Sequence, residues 1–505
     1  MRKYDHKDIL YHSFKFFFKT LLIDYKKNLS ILKKNSNREL FFKSIVYKII
    51  NNNYFMNNYY LYELSKEKKK KIFGDIKNKF QIDSGYISFS DNKLIISNLF
   101  VFKKIIRSLF IVIRNVFILL INFFNLKKTH KEFIVIFSKF AKQDRFDQLK
   151  IKSFFSEKTI KLFENKNIIF MNEKHKNFDR YYFSKEPILY LAKNFLDNSA
   201  KIILIGRLIK VYIRYILLIR SFKPIILLID DLIEREIVNF LSEKKISNKY
   251  FITNSSAMGN LKIWMDNSNK NIETHCYWDS VSVLYPIKTK DRNIKINILN
   301  SFMNFTNHYA WNLKCKKFLG RYFKNSNLFN INPMNLYFTN KKHELIKKDF
   351  NIGIFDTENL PSMLVGNQLC ESFKNNKSLK NFYTDILDIV REIEKEHKIN
   401  IQVFIKRKHN HQNTSKKFIS NIRDFNLIDH DVELPFLFKD LDTVICMPYT
   451  TVGFHFSELE KKLSFFYDGD SIIKEYKLPK NIFLINNKTK LKNELLGAYK
   501  IKKKN

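Results

Sequence analysis

Thr443-Val444-Ile445-Cys446-Met447-Pro448-Tyr449-Thr450-Thr451-Val452-Gly453 is the stretch on which the fold turns. A short apolar run bounded by proline and ending in two hydroxyl residues has the pattern of a buried parallel strand feeding a helix. A second run, Leu463-Ser464-Phe465-Phe466-Tyr467-Asp468, follows after a helix-length interval. In open α/β sheets, ligands bind at the carboxyl ends of such strands. A helix starting near Thr451 would present unpaired backbone N–H groups and a partial positive charge there, which suits a phosphate. Thr450 and Thr451 can cap that helix and can also donate hydroxyl hydrogen bonds to the same anion; capping alone is the plainer role.

Upstream, Asn351-Ile352-Gly353-Ile354-Phe355-Asp356-Thr357 opens the same unit, a long helix spans about Ser378 to His397, and Ile401-Gln402-Val403-Phe404-Ile405 forms the next strand. The latter ends in Lys406-Arg407-Lys408-His409. Asp429-His430-Asp431 could polarise an imidazole or simply be a solvated loop, and a short helix lies around Phe436 to Lys439. Ile482 to Ile485 is the expected last strand and Lys500 to Lys504 a frayed basic tail. If the two strand ends are near neighbours, their groups converge on one crevice. Fixed cations plus a helix N-terminus would then stabilise the charge that grows on a leaving phosphate. His455 and Glu458 share a helical face with Thr451; Glu458 could accept from a sugar hydroxyl or pair with Lys461 and Lys462.

The preceding part of the chain shows the same rhythm. Phe133 to Phe137, Ile168 to Phe170, Pro224 to Asp231 and Tyr250 to Ser255 are expected strands, with a helix from about Leu232 to Lys244. Asp230 and Asp231 would fall at a strand's carboxyl end, where they could bind or deprotonate a substrate or merely cap a helix. His275-Cys276-Tyr277-Trp278 could stack on a base or a sugar, or fill a seam between domains. The expected division is a basic, mainly helical region over 1–130, a Rossmann-like domain over 131–280, a link over 281–345 and a second Rossmann-like domain over 346–500.

With 45% hydrophobic residues the 505-residue chain is globular rather than disordered, and its length suits two or three domains. The net charge of +41 should attract polyanions and anionic membranes. Heavy use of Lys, Asn, Ile and Phe with only 10 Gly and 8 Pro also fits AT-rich coding DNA. No zinc spacing, RNP-like strand or Walker loop accompanies the charge, so nucleic acid ranks below a membrane surface and phosphorylated donors as partner. The four cysteines are scattered, which fits a reduced cytosolic protein and gives no thiol metal site. The N-terminus lacks an apolar signal-like segment. Residues 99–126 and 202–219 are apolar helices with basic residues at helical spacing, but the uninterrupted run Asn115 to Phe124 is too short to cross a bilayer. They fit either helices lying on an anionic membrane surface or helices packed on a sheet.

Met447-Pro448-Tyr449-Thr450-Thr451 resembles the Pro-Phe-Thr-Ser signature of bacterial polysaccharide-biosynthesis PFTS motif proteins, with Tyr449 for Phe and Thr451 for Ser. The likeness runs over about 346–475 and, more weakly, 130–345. That family resembles GT-B-type glycosyltransferases. The resemblance implies an α/β fold of two Rossmann-like doubly wound domains with a mainly helical N-terminal extension. It implies a glycosyltransferase of cell-surface polysaccharide (O-antigen or capsule) assembly, using a nucleotide-sugar and a glycan or lipid-linked acceptor. Neither metal nor cofactor is expected, and the location is cytoplasmic, peripheral on the inner face of the membrane. Lys406, Arg407, His409, Thr450, Thr451 and Glu458 would hold the donor. The basic strand end is similar to a Lys-Pro-His-Pro-like segment of teichoic-acid-type transferases, without its prolines. For the general base, Asp144, after the first strand, is the first candidate, with His275, Asp230 and Asp231 as alternatives. The rival function is a noncatalytic membrane-surface or polyanion-binding protein on an α/β scaffold.

Overall fold

Runs of buried apolar strand residues organise the chain into two parallel sheets. The computed structural model describes residues 44–45, 47–48, 87–90, 93–121, 132–137, 166–171, 181–254, 257, 261–267, 269–278, 287–289, 293–294, 303–331, 348–356, 376–406, 426–428, 432, 434–448, 450–469, 473–476 and 478–504, and all structural statements concern these. An antiparallel hairpin, β1 (Ile87–Ser90) and β2 (Lys93–Ile96), leads into helix α1 (Asn98–Ile121).

The first sheet takes β3 (Phe133–Phe137), β4 (Asn167–Met171) and β5 (Tyr181–Ser184), then, beyond three helices, β6 (Ser247–Thr253) and β7 (Glu273–Tyr277). The helices are α2 (Pro187–Phe195), α3 (Asn198–Ser221) and α4 (Ile229–Glu243). Two short strands, β8 (Ile287–Thr289) and β9 (Asn293–Ile294), leave this sheet, and β10 (Asn307–Ala310), α5 (Leu313–Leu319) and β11 (Asn327–Asn330) complete it. Its order is β11-β10-β7-β6-β3-β4-β5, with every neighbour parallel.

The second sheet contains β12 (Phe350–Phe355), β13 (Ile401–Lys406), β14 (Asn426–Ile428), β15 (Thr443–Cys446) and β16 (Ser464–Tyr467). Helices α6 (Asn376–His397), α7 (Leu434–Asp440) and α8 (Thr451–Glu460) lie between them in sequence. After β17 (Ile473–Tyr476) come β18 (Ile482–Ile485) and α9 (Lys488–Lys504). The order β14-β13-β12-β15-β16-β18 is again parallel throughout. Ranked by sequence it reads 3-2-1-4-5-6, the doubly wound Rossmann order, and the first sheet follows the same winding with one strand more. Strand order reverses between β12 and β15, which opens a crevice at their carboxyl ends.

Alternation of side chains builds both faces of the second sheet. In β15, Val444 and Cys446 join the core shared with the first sheet, while Ile445 faces the opposite core beneath α6 and α9. Phe465 and Phe466 of β16 divide in the same way. The halves are also stitched together by a small sheet in which β17 pairs antiparallel with β8, and β8 with β9.

Three expectations are corrected. Pro224 to Asp231 is not a strand: Lys223–Leu228 is a 3₁₀ helix that runs into α4. Ile225, Ile226, Leu228 and Ile229 are buried on all sides, so their apolar run carries no periodicity, whereas Pro224 in the first helical turn and Asp230–Asp231 at the start of α4 are helix-start features. The stretch 281–345 is more than a link, since β10, α5 and β11 extend the first sheet. Lys500 to Lys504 do not fray: Lys500–Lys504 belong to α9, where Lys502 reaches Asp442 at 2.7 Å.

Candidate functional site

β15 delivers the hydroxyl pair to the crevice of the second sheet. Gly353 lies opposite Val444 and Phe355 opposite Cys446, and the Met447 N–H donates to the Phe355 carbonyl at 3.0 Å, so the pairing holds to the strand ends. The chain then turns. The Thr450 N–H reaches the Met447 carbonyl at 3.3 Å, and Thr450 Oγ1 donates to that same carbonyl at 2.7 Å. Thr450 precedes α8 in extended backbone geometry, and its side chain makes no capping hydrogen bond to the helix. A hydroxyl has one hydrogen, and here it is spent on the turn; buried Thr450 therefore shapes the loop, and Thr451, half-buried, opens the helix.

The same turn fixes how closely α8 approaches the sheet. A Cβ on Gly453 would lie 2.7 Å from Phe466 Cε1 and 2.8 Å from Ser464 Oγ, so glycine alone allows the helix to rest on β16 at this distance. The Gly453 N–H bonds the Cys446 thiol, whose pKa burial pushes up. Lys406 ends β13. With β12 between β13 and β15, it stands two strand spacings, about 9–10 Å, across the carboxyl edge. Asp356, just after β12, occupies the middle of this edge and accepts a 2.7 Å hydrogen bond from Tyr383 Oη.

The first sheet meets this edge through the two residues that follow β10. Trp311 stacks on His455 of α8 with ring centroids 4.2 Å apart and planes 5° from parallel. Asn312 caps α5 by accepting from the Cys315 N–H at 2.9 Å, and its Nδ2 donates to Glu458 Oε1 at 3.3 Å. Glu458 also pairs with Lys461 at 3.6 Å, the helical pairing expected from the sequence. Trp311 and His455 are each 3% exposed, and among the described residues Trp311 Nε1 and His455 Nε2 are buried without a hydrogen-bond partner. Burial pushes the His455 pKa down to about 3, so this imidazole, one turn into α8, is neutral at physiological pH.

The other candidates lie elsewhere. His275 is in β7, stacked between Phe251 and Tyr309 on the face of the first sheet, with Nδ1 2.9 Å from Tyr309 Oη. Burial lowers its pKa to about 4, against the opposing pull of Glu273. This is a packing position on the sheet face. Asp230 and Asp231 are in the first turn of α4: Asp230 accepts from Ser108 Oγ at 2.7 Å and pairs with Lys104, while Asp231 lies between Lys48 and Lys262. Asp144, Arg407, His409, Tyr449 and Asp429-His430-Asp431 lie outside the described residues. Trp311 and Asn312 carry no expectation from the sequence, and Asp356 is expected only as part of the segment that opens the second unit. The available signal was an aromatic and a capping residue immediately after Asn307 to Ala310, a run too short and polar to stand out as a strand.

Two doubly wound parallel sheets, meeting through residues beyond the strand ends of one and the first helix after the switch point of the other, define an α/β fold of GT-B type. The chain belongs to the polysaccharide biosynthesis PFTS motif protein family, whose profile matches residues 209–495. Among solved structures, it is similar to the wall teichoic acid polymerase TagF at 12% identity over 80% of this chain and 90% of that one, with a TM-score of 0.40. A GtfA/B complex matches at 7% identity over 53% of this chain and 54% of that one, TM-score 0.31. The pneumococcal O-GlcNAc transferase GtfA in complex with UDP and GlcNAc matches at 8% identity over 53% and 52%, TM-score 0.30. No curated protein sequence matches the chain.

Proposed function

We propose that the protein is a metal-independent glycosyltransferase of cell-surface polysaccharide assembly, of the O-antigen or capsule kind. It moves a sugar from a nucleotide-activated donor to a glycan or lipid-linked acceptor, on the inner face of the cytoplasmic membrane. The observation that carries this is the junction itself: Trp311 on His455 and Asn312 on Glu458 join the first sheet to the helix that starts at the second sheet's switch point. A donor diphosphate at that crevice would meet the N-terminal end of α8, with Lys406 on the same carboxyl edge supplying a cation. The orphaned ring nitrogens of Trp311 and His455 are polar groups whose hydrogen bonds a bound ligand or water can complete. Glu458, which accepts from Asn312, would accept from a ribose or sugar hydroxyl with its remaining lone pairs. Family membership in polysaccharide biosynthesis agrees with this chemistry.

The test is a thermal-shift series with UDP, GDP, CMP, CDP and dTDP, with and without chelator, on the wild type and on Lys406→Ala and Thr451→Val. Saturable stabilisation by one nucleotide that survives chelation and weakens in both variants supports the proposal. A response to none of them, with avid binding to polyanions, would replace it with the noncatalytic function.

A further inference from the structure

Helices α1 and α3, each 24 residues and therefore about 36 Å long, lie side by side, and Tyr212 Oη of α3 donates to the Ile105 carbonyl of α1 at 2.9 Å. One stripe of each is buried: Ser108, Val112, Asn115 and Leu119 on α1, and Leu204, Leu208, Tyr212 and Ile219 on α3. The opposite stripes are apolar as well. Phe102, Phe110, Ile113 and Phe117 of α1 are 54–67% exposed, and Ile213 and Leu217 of α3 are 52–57% exposed. A helix at the surface of a globular protein turns its polar residues outward, and contiguous exposed apolar surface of this extent marks a place where something else docks.

The charges identify the occupant. Neither helix contains an acidic residue. Some of the bases are turned to the protein: Lys104 pairs with Asp230, Arg114 with Glu186, and Arg207 with Glu236 and Glu243. Lys103 and Arg107 are exposed along one flank of the α1 stripe, and Lys210 and Arg214 along the α3 stripe. Apolar stripes with wholly basic flanks match the acyl boundary and the phosphates of an anionic bilayer. Among the described residues no helix is long and apolar enough to cross a membrane, so the helices would lie in the plane of the surface.

We infer that the paired outer faces of α1 and α3 form a docking surface for an anionic lipid bilayer, with Phe110, Phe117 and Ile213 entering the headgroup–acyl boundary. The surface stands on these two helices and is independent of the donor chemistry proposed above. Nucleotide thermal shifts and vesicle binding therefore succeed or fail separately.

Full-length protein is sedimented with vesicles of phosphatidylcholine alone and of phosphatidylcholine mixed with phosphatidylglycerol, at low and high salt. Binding to the anionic vesicles is expected, with a salt-resistant fraction from the inserted side chains. The triple variant Phe110→Ser, Phe117→Ser, Ile213→Ser should lose binding at least about tenfold at unchanged melting temperature, because these side chains are exposed. The variant Lys103→Gln, Arg107→Gln, Lys210→Gln, Arg214→Gln should lose affinity for anionic vesicles by roughly fivefold per residue, with neutral vesicles unaffected. Absence of vesicle binding, or serine and glutamine variants that both bind like wild type, overturns the inference. So does a wild-type dimer that the serine variant dissolves, which would make the face a contact between two copies of the chain.

Discussion

Trp311, 144 residues earlier in the chain, lies flat on His455, with ring planes 5° apart and centroids at 4.2 Å. The stack joins the carboxyl end of β10 to the first helix beyond the switch point of the second sheet, and Asn312 and Glu458 hydrogen-bond beside it. Both rings are neutral, buried and apolar on their faces, so the contact contributes mainly through area removed from water and dispersion. Trp311→Ala should cost about 3–5 kcal/mol, the range for truncating a buried aromatic. Because the lost contact spans the two halves, calorimetry should show one cooperative transition separate into two. An unaltered single transition at the wild-type temperature would mean that the stack does not couple them.

His455 should make the protein sensitive to acid. Its folded pKa, pushed down to about 3 by burial, lies below the ordinary histidine value of 6.5, so between these values the unfolded chain binds a proton that the folded chain refuses. Stability is therefore present above about pH 6.5 and declines as pH falls toward 3, by up to about 1.4 kcal/mol per pH unit for this group. His455→Phe keeps a ring against Trp311 and removes the titration. The difference in melting temperature between variant and wild type should move in the variant's favour as pH drops from 7 to 4. A constant difference would remove His455 from the acid response.

Gly453 is required for distance rather than for backbone freedom. In Gly453→Ala the added methyl would sit 2.7 Å from a Phe466 ring carbon and 2.8 Å from Ser464 Oγ, with the sheet behind both. Overpacking of this kind costs about 1–3 kcal/mol, and relief must come from lifting the start of α8. The variant should therefore lose nucleotide-induced stabilisation as well as melting temperature. A drop in melting temperature with full nucleotide response would show that the helix start does not bind the donor.

Much of the second sheet is legible because its strands are mainly apolar runs, interrupted only at Asn351, Gly353, Gln402 and Thr443: Asn351 to Phe355, Ile401 to Ile405, Thr443 to Cys446 and Ile482 to Ile485 all read as strands and are strands. The same signal misled at Pro224 to Asp231, since a helical segment buried on all sides is as uniformly apolar as a buried strand and only the proline and aspartates distinguish it. β10 and β11, Asn-His-Tyr-Ala and Asn-Leu-Phe-Asn, carry too many polar residues to be recognised, and their strand character comes from neighbours far away in sequence. Trp311 was missed for the same reason, because its partner is 144 residues away and only the packed fold brings His455 beneath it. Conversely, Thr450 was located correctly at the strand end, but the direction of its hydroxyl, toward Met447 rather than the helix, is a property of turn geometry that the sequence does not encode in any short pattern.

Asp231 separates a structural carboxylate from a catalytic one. It is 3% exposed, with Lys48 Nζ at 2.8 Å and Lys262 Nζ at 3.4 Å. Burial alone would lower the Lys262 pKa, yet the attraction of Glu234 and Asp231 outweighs it and raises the value. Asp231→Asn keeps the shape and removes one of the two charges that make the lysines comfortable there. Since both lysines retain contact with solvent, the loss should be about 1–3 kcal/mol, below the cost of breaking a fully buried pair. The melting temperature should fall while the affinity for any stabilising nucleotide stays the same. If Asp231→Asn instead abolished transfer at an unchanged melting temperature, the carboxylate would be acting on the acceptor, and α4 would have to be counted among the walls of the active site.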